Sequence, residues 1–252
     1  MNFYEDGSKY LQKGQYKKAA DYFTLAIKRK LEVANSYFGR GLSQYYMKQN
    51  IDAIRDFDKA IELDDKNPSY YFYKGMANFN QFNPTKAAEN FDKVIEIDPN
   101  NFVAHHQKGY VLMNLNKYHE AIECFNKALE INPEYESCYH NRAFCYDQLK
   151  EYDNAIADYT KVIELKPHFL SYYNRGNTYF VLNDYDNALS DFDKSLELNP
   201  NHYLAYYNKG VIFEKQNKID EAVQEFKKSF ELNPEFYLAL EKINKYEKNS
   251  IE

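Results

Sequence analysis

YYFYKGMANFNQFNPTKAAENFDKVIEI, residues Tyr70 to Ile97, reads as two helices with a break between them. Apolar residues recur at helical spacing from Tyr70 to Gln81 and again from Thr85 to Ile97, and Asn83-Pro84 interrupts the pattern. Outward from this stretch the same unit repeats. Gly75 has counterparts at Gly7, Gly41, Gly109, Ala143, Gly176 and Gly210, at steps of 34 residues with a single step of 33. Twelve residues after each comes an alanine: Ala19, Ala53, Ala87, Ala121, Ala155, Ala188 and Ala222. Four further on stands an aromatic: Phe23, Phe57, Phe91, Phe125, Tyr159, Phe192 and Phe226. A fixed period of this length marks an array whose units bury their apolar faces against one another.

With each glycine numbered as position 8 of its repeat, the chain carries a ring at position 4, Gly at 8, Ala at 20, Phe or Tyr at 24, a small residue at 27 and Pro at 32. That pattern resembles the tetratricopeptide repeat, a helix-turn-helix unit of about thirty-four residues. The tryptophan usual at position 4 is replaced by Phe3, Tyr37, Tyr71, His105, Tyr139, Tyr172 and Tyr206. The resemblance implies an all-α fold, a right-handed superhelical α-solenoid of seven repeats. Their expected spans are 1–33, 34–67, 68–101, 102–135, 136–169, 170–202 and 203–236, with 237–252 as a capping helix. One residue is missing before Leu170, which predicts a tighter turn between repeats five and six. In the cap, Leu240, Ile243 and Tyr246 are expected to form one apolar face.

Apolar residues make up 44% of the 252, enough for a continuous core, and no linker or low-complexity stretch divides them. No apolar run approaches the length of a membrane span, and with no charged-then-apolar stretch read ahead of the first repeat, secretion is not expected. The three cysteines form no Cys-x-x-Cys, and Cys138 and Cys145 lie two turns apart on one helix, about 10 Å, too far to bridge. A reducing cytoplasm is the expected compartment. The net charge of −6 is spread over interspersed acids and lysines, which reads as solvated surface and argues against nucleic acid. No membrane partner is expected either.

A sharper charge pattern sits at positions 7 and 23. Arg40, Arg142 and Arg175 at position 7 accompany Asp56, Asp158 and Asp191 at position 23. Lys74, Lys108 and Lys209 accompany Asn90, Cys124 and Glu225 instead. A planar guanidinium favours a bidentate carboxylate, so the Arg–Asp pairs are expected to staple the two helices of a repeat.

Function is sought on the surface that core positions leave free. The family resemblance implies that first helices line a concave groove where peptides bind. Position 5, which nothing in the core of the helix pair is expected to require as a ring, is Tyr4, Phe38, Phe72, His106, His140, Tyr173 and Tyr207. Beside it, position 6 is Asn141, Asn174 and Asn208 in the last three repeats. A side-chain amide both donates and accepts, so such a ladder suits the backbone of an extended ligand. It resembles the asparagine ladder of the repeat domain of O-GlcNAc transferase. The expected site is therefore Phe38, Phe72, His106, His140, Asn141, Tyr173, Asn174, Tyr207 and Asn208.

The lysines and arginine with which some family members grip acidic chaperone tails are missing, since the flanking positions are His106, Tyr110, Leu170 and Asn174. His106 and His140 share a register, but no third ligand converges on them, so no metal is expected. No phosphate loop or nucleophile triad is readable, and no cofactor is expected. Two functions follow. The first is a non-catalytic adaptor for a protein or peptide partner. The second is a self-associating scaffold, favoured by a first helix that begins with Phe3 and Tyr4 and lacks an obvious polar cap.

Overall fold

The computed structural model describes residues 2–248, with side chains through Tyr246, and those residues contain fifteen α-helices and no strand. They fall into two compact units, Met1–Pro133 and Glu134–Glu252. The first unit holds four helix pairs: α1 (Phe3–Gln12) with α2 (Tyr16–Lys28), α3 (Val33–Tyr46) with α4 (Asn50–Leu63), α5 (Pro68–Asn80) with α6 (Pro84–Ile97), and α7 (Phe102–Asn114) with α8 (Tyr118–Ile131). The second holds α9 (Glu136–Gln148) with α10 (Tyr152–Leu165), α11 (Phe169–Val181) with α12 (Tyr185–Leu198), α13 (Tyr203–Lys215) with α14 (Ile219–Leu232), and a last helix α15 (Tyr237–Lys248).

Local chemistry sets these boundaries. Pro84 is the first residue of α6, one residue earlier than the sequence pattern places the helix, because proline has no amide to lose at a first turn. Asn67 and Asn101 cap α5 and α7 by accepting from the amides of Ser69 and Ala104, each at 3.0 Å. The first helix of each pair ends on a residue of positive φ: Gly14, Lys48, Phe82, Asn116, Lys150, Asn183 and Asn217. The next amide then returns to a carbonyl five residues back, as from Gln49 to Gln44 at 2.9 Å. Three residues separate α10 from α11 where the other second helices of the last six repeats are followed by four, which is the predicted tighter turn.

The core is the repeated crossing. All seven position-20 alanines and all seven position-24 rings are at most 1% exposed. A Cβ at Gly109 would stand 2.7 Å from the Phe125 ring, so the absent side chain is what admits the aromatic. Between repeats, positions 3 and 10 close the seam. Ala77 joins the cluster of Ala53 and Phe57, Val111 joins Ala87 and Phe91, and Ala205 and Ile212 join Ala188 and Phe192. In the first repeat these positions are Asn2 and Lys9, both exposed. Asn2 also caps α1 by accepting from the amide of Glu5 at 3.4 Å, so the first helix has the polar end that the sequence reading denied it. Ala239 and Ile243 of α15 are buried, while Leu240 and Tyr246 are half-buried. Residues 249–252 of the expected cap lie outside the described residues.

The three arginine staples form as expected. Arg40 and Arg142 meet Asp56 and Asp158 through two bonds of 2.7 Å each, and Arg175 meets Asp191 at 2.8 Å. The aspartates are 6–8% exposed. The lysines do something else. Lys74, Lys108 and Lys209 reach position 25 of the preceding repeat, pairing with Asp58, Asp92 and Asp193 at 2.6–2.8 Å. Before two of the three arginines position 25 is a threonine, Arg40 donating to Thr24 at 3.3 Å and Arg175 to Thr160 at 2.8 Å, and before Arg142 it is Asn126. Arginine therefore ties a repeat to itself and lysine ties it to its neighbour, with Lys209 doing both through a second pair to Glu225 of its own repeat at 2.9 Å.

Candidate functional site

The ring at position 5 of every repeat packs on the ring at position 24 of the same repeat. Centroid separations are 6.0 Å for Tyr4–Phe23, 5.8 Å for Phe38–Phe57, 5.6 Å for Phe72–Phe91, 5.7 Å for His106–Phe125, 5.8 Å for His140–Tyr159, 5.8 Å for Tyr173–Phe192 and 5.5 Å for Tyr207–Phe226. This corrects the expectation that the core of a helix pair makes no use of position 5. The bare glycine at position 8 lets the position-24 ring rise against the first helix, and position 5 reaches it. The rings still keep one side outward, for all but His106 are half-buried rather than buried. His106 is 6% exposed, and burial lowers its pKa to about 4. Burial, and then the neighbouring His168, lowers that of His140 as well. Both rings are neutral at pH 7.

The rest of this face differs between the two units. In the first, apolar side chains continue the stripe. Leu42 and Tyr45 pack beside Phe38, and Met76 and Phe79 beside Phe72. The Phe79 ring lies 5.6 Å from Tyr110. A cavity of about 270 Å³ opens next to Phe72, lined by Pro68, Ser69, Tyr73, Val94, Asn101 and Val103. Position 6 here is Gly39, Tyr73 and Gln107, so no asparagine ladder runs through this unit.

The asparagines belong to the second unit. Asn141, Asn174 and Asn208 are all half-buried. Asn208 donates to Asn177 at 2.7 Å and to the Tyr173 hydroxyl at 3.3 Å, which joins repeats six and seven. Burial raises the Tyr173 pKa against the pull of these two amides. The Asn174 side chain has no hydrogen-bond partner among the described residues, so its donor and acceptor both remain available. Asn177 was not among the residues the sequence singled out, although it occupies position 9, apolar in five of the seven repeats.

Two carboxylates also escaped that reading. Position 12 is apolar in five repeats and acidic in two, Asp147 and Glu214. Asp147 accepts from the Tyr159 hydroxyl at 3.1 Å and the Thr178 hydroxyl at 2.9 Å, and burial raises its pKa against those bonds. Tyr159 is the single tyrosine at position 24, and that hydroxyl was the available signal. Glu214 accepts from Lys242, Lys245 and Tyr246 of α15. Burial would raise its carboxyl, but these three donors outweigh burial and hold it at about 2. Among the described residues no three His, Cys, Asp or Glu side chains converge as a metal site would need.

Models of the tetratricopeptide repeat match residues 68–101, 102–135, 137–169, 170–202 and 203–236. No curated protein matches the sequence. Among solved structures, the C-terminal part of a repeat-containing protein from Cytophaga hutchinsonii is similar with a TM-score of 0.83 at 16% identity, over 95% of this chain and 99% of that one. YrrB, described as a TPR protein with an unusual peptide-binding site, is similar with a TM-score of 0.64 at 25% identity, over 73% of this chain and 96% of that one. MamA has a TM-score of 0.62 at 25% identity, over 64% of this chain and 94% of its own.

Proposed function

The chain belongs to the tetratricopeptide repeat family, and from that premise we propose that it is a non-catalytic adaptor holding an extended peptide segment on its first-helix face. The observation that carries this reading is the Asn174 amide, half-buried and unpartnered beside the Tyr173 ring. One amide of that kind pairs with one peptide unit, and the flanking rings take apolar side chains. Phe38, Phe72, His106, His140, Asn141, Tyr207 and Asn208 extend the site in the same register. The peptide-binding site named for YrrB supports a ligand of this class. The seven repeats are taken as one array, working in a reducing cytoplasm, which suits three free cysteines. Burial lifts Cys124 to about 11 and Cys145 to about 12, so both are inert thiols at neutral pH. The polar seam positions Asn2 and Lys9 weigh against the scaffold alternative.

A peptide array read with wild type and Asn174→Ala tests the reading. Asn174→Ala is expected to weaken capture about tenfold at unchanged melting temperature, the worth of one or two hydrogen bonds to backbone. Equal capture by the two proteins refutes the groove.

A further inference from the structure

The outward face of α2 breaks the charge pattern that every later second helix keeps. At positions 26 and 29, repeats two to seven place Lys and Glu, which pair on the surface, as Lys59 does with Glu62 and Lys93 with Glu96, both at 2.6 Å. The first repeat has Leu25 and Lys28 instead. Positions 30 and 31 are Arg29 and Lys30, where the later repeats have Leu or Ile and then, with the single exception of Lys166, Asp or Asn. With Lys13, Lys17 and Lys18, six cations lie within residues 13–30 against one acid, Asp21. Among the described residues none of the six has an acidic partner. A cation at a helix C-terminus does favour the macrodipole. Five of the other six second helices do without it, and α10 has the single Lys166, so the dipole does not account for the reversal.

Helical geometry places the three cations of α2 itself on one side, and Lys13, Arg29 and Lys30 stand exposed just beyond its two ends. Ala19, Phe23 and Ala26 are buried, and Lys17, Lys18, Asp21, Leu25 and Lys28 project opposite them. Leu25 is 41% exposed in the middle of that face and Leu31 is 37% exposed just beyond it. The surface has cations at both ends and exposed leucines between and beside them. A discrete anion would want convergent donors, which the face does not offer. Its complement is a broad anionic surface with apolar depth beneath, the character of an acidic lipid leaflet. No described helix is long and apolar enough to cross a membrane. The earlier expectation of no membrane partner rested on the lack of a spanning segment, which surface docking does not require.

We propose that the outward face of α2 docks the protein peripherally on anionic lipid. The inference is independent of the peptide reading, since it uses a second helix and not the first-helix face.

Sedimentation of the full-length protein with vesicles is the test. Wild type is expected to partition onto vesicles of phosphatidylcholine with roughly a third phosphatidylserine, and not onto pure phosphatidylcholine. Lys28→Gln/Arg29→Gln/Lys30→Gln should lose affinity by roughly a hundredfold, since each cation near an anionic leaflet is worth about tenfold at most. The control Lys93→Gln/Lys127→Gln/Lys161→Gln makes the same change in net charge at the paired register and should bind like wild type. Circular dichroism and melting temperature establish that both variants fold. Absence of binding to anionic vesicles, or equal loss in the control, overturns the proposal. So does retention of duplex DNA or polyglutamate without vesicle binding, which would assign the patch to nucleic acid or to an acidic protein segment.

Discussion

At the scale of single residues, the same arginine that staples a repeat also creates its most fragile point. Asp158 is 8% exposed, and burial raises its carboxyl against the pull of Arg142. Arg142→Met leaves that carboxylate buried without its partner and is expected to cost about 3 kcal/mol. Lys108→Met releases Asp92, which is 45% exposed, and should cost under about 1 kcal/mol. Chemical denaturation of the two variants measures the difference, and equal losses would mean that the buried pair is no more than a surface bridge. The histidines at position 5 add a pH dependence. His106 titrates in the unfolded chain near the ordinary 6.5 but at about 4 when folded, so the native state binds fewer protons. The stability it contributes is present above 6.5 and is lost as pH falls from there towards 4. His106→Phe should flatten the melting-temperature profile across that window. A parallel loss in the variant would place the acid sensitivity elsewhere, with His140 the next candidate.

At the scale of the helix pair, a period and its small residues made most of the architecture legible before any coordinate. Gly75, Ala87 and Phe91 identify a crossing because only that packing needs a missing side chain, a methyl and a ring at those offsets. Position 5 was legible as a ring and illegible as packing. Helical periodicity sets it about 100° from the core stripe, and only the geometry of the crossing shows Phe125 rising over Gly109 to meet His106. The lysine links were missed because their partners lie in the preceding repeat, outside the two positions compared. Glu214 was missed for a related reason, its partners being 28 to 32 residues away in a helix with no repeat to match. Its role can be measured. With its carboxyl held at about 2 when folded and near 4.5 otherwise, Glu214 stabilises the docking of α15 above pH 4.5 and loses that effect as pH falls towards 2. Glu214→Gln should cost about 1–2 kcal/mol at pH 7, after discounting for solvent around the lysines. The gap from wild type should close in acid. A gap of constant size across that range would show that packing of Ala239 and Ile243, not charge, holds the last helix.

For the whole molecule, the two proposed surfaces differ in their response to salt. The first-helix face works through rings, amides and an apolar cavity, so peptide capture should change little between low and moderate ionic strength. Docking through α2 relies on unpaired cations and should fall steeply over the same range. Titrating salt against peptide capture and vesicle partition in parallel separates them, and a shared steep dependence would merge both into one electrostatic site. The charge is also unevenly divided: residues 1–133 hold 18 lysines and arginines against 17 acids, and residues 134–252 hold 14 against 21.

The division between arginine and lysine at position 7 has a consequence for how such a chain can change its length. A repeat tied by Arg40 or Arg175 carries both members of its ion pair, and the arginine itself reaches only a hydroxyl in the repeat that precedes it. It can be copied, deleted or spliced behind a foreign repeat and still be whole. A repeat tied by Lys74 or Lys108 keeps half of its pair in its predecessor, and transplanted alone it arrives with an unmatched charge, whereas Lys209 holds Glu225 of its own repeat as well as Asp193. Duplication is thus cheap at some joints of this chain and penalised at others, and position 25 before each joint, taken with position 23 after it, says which.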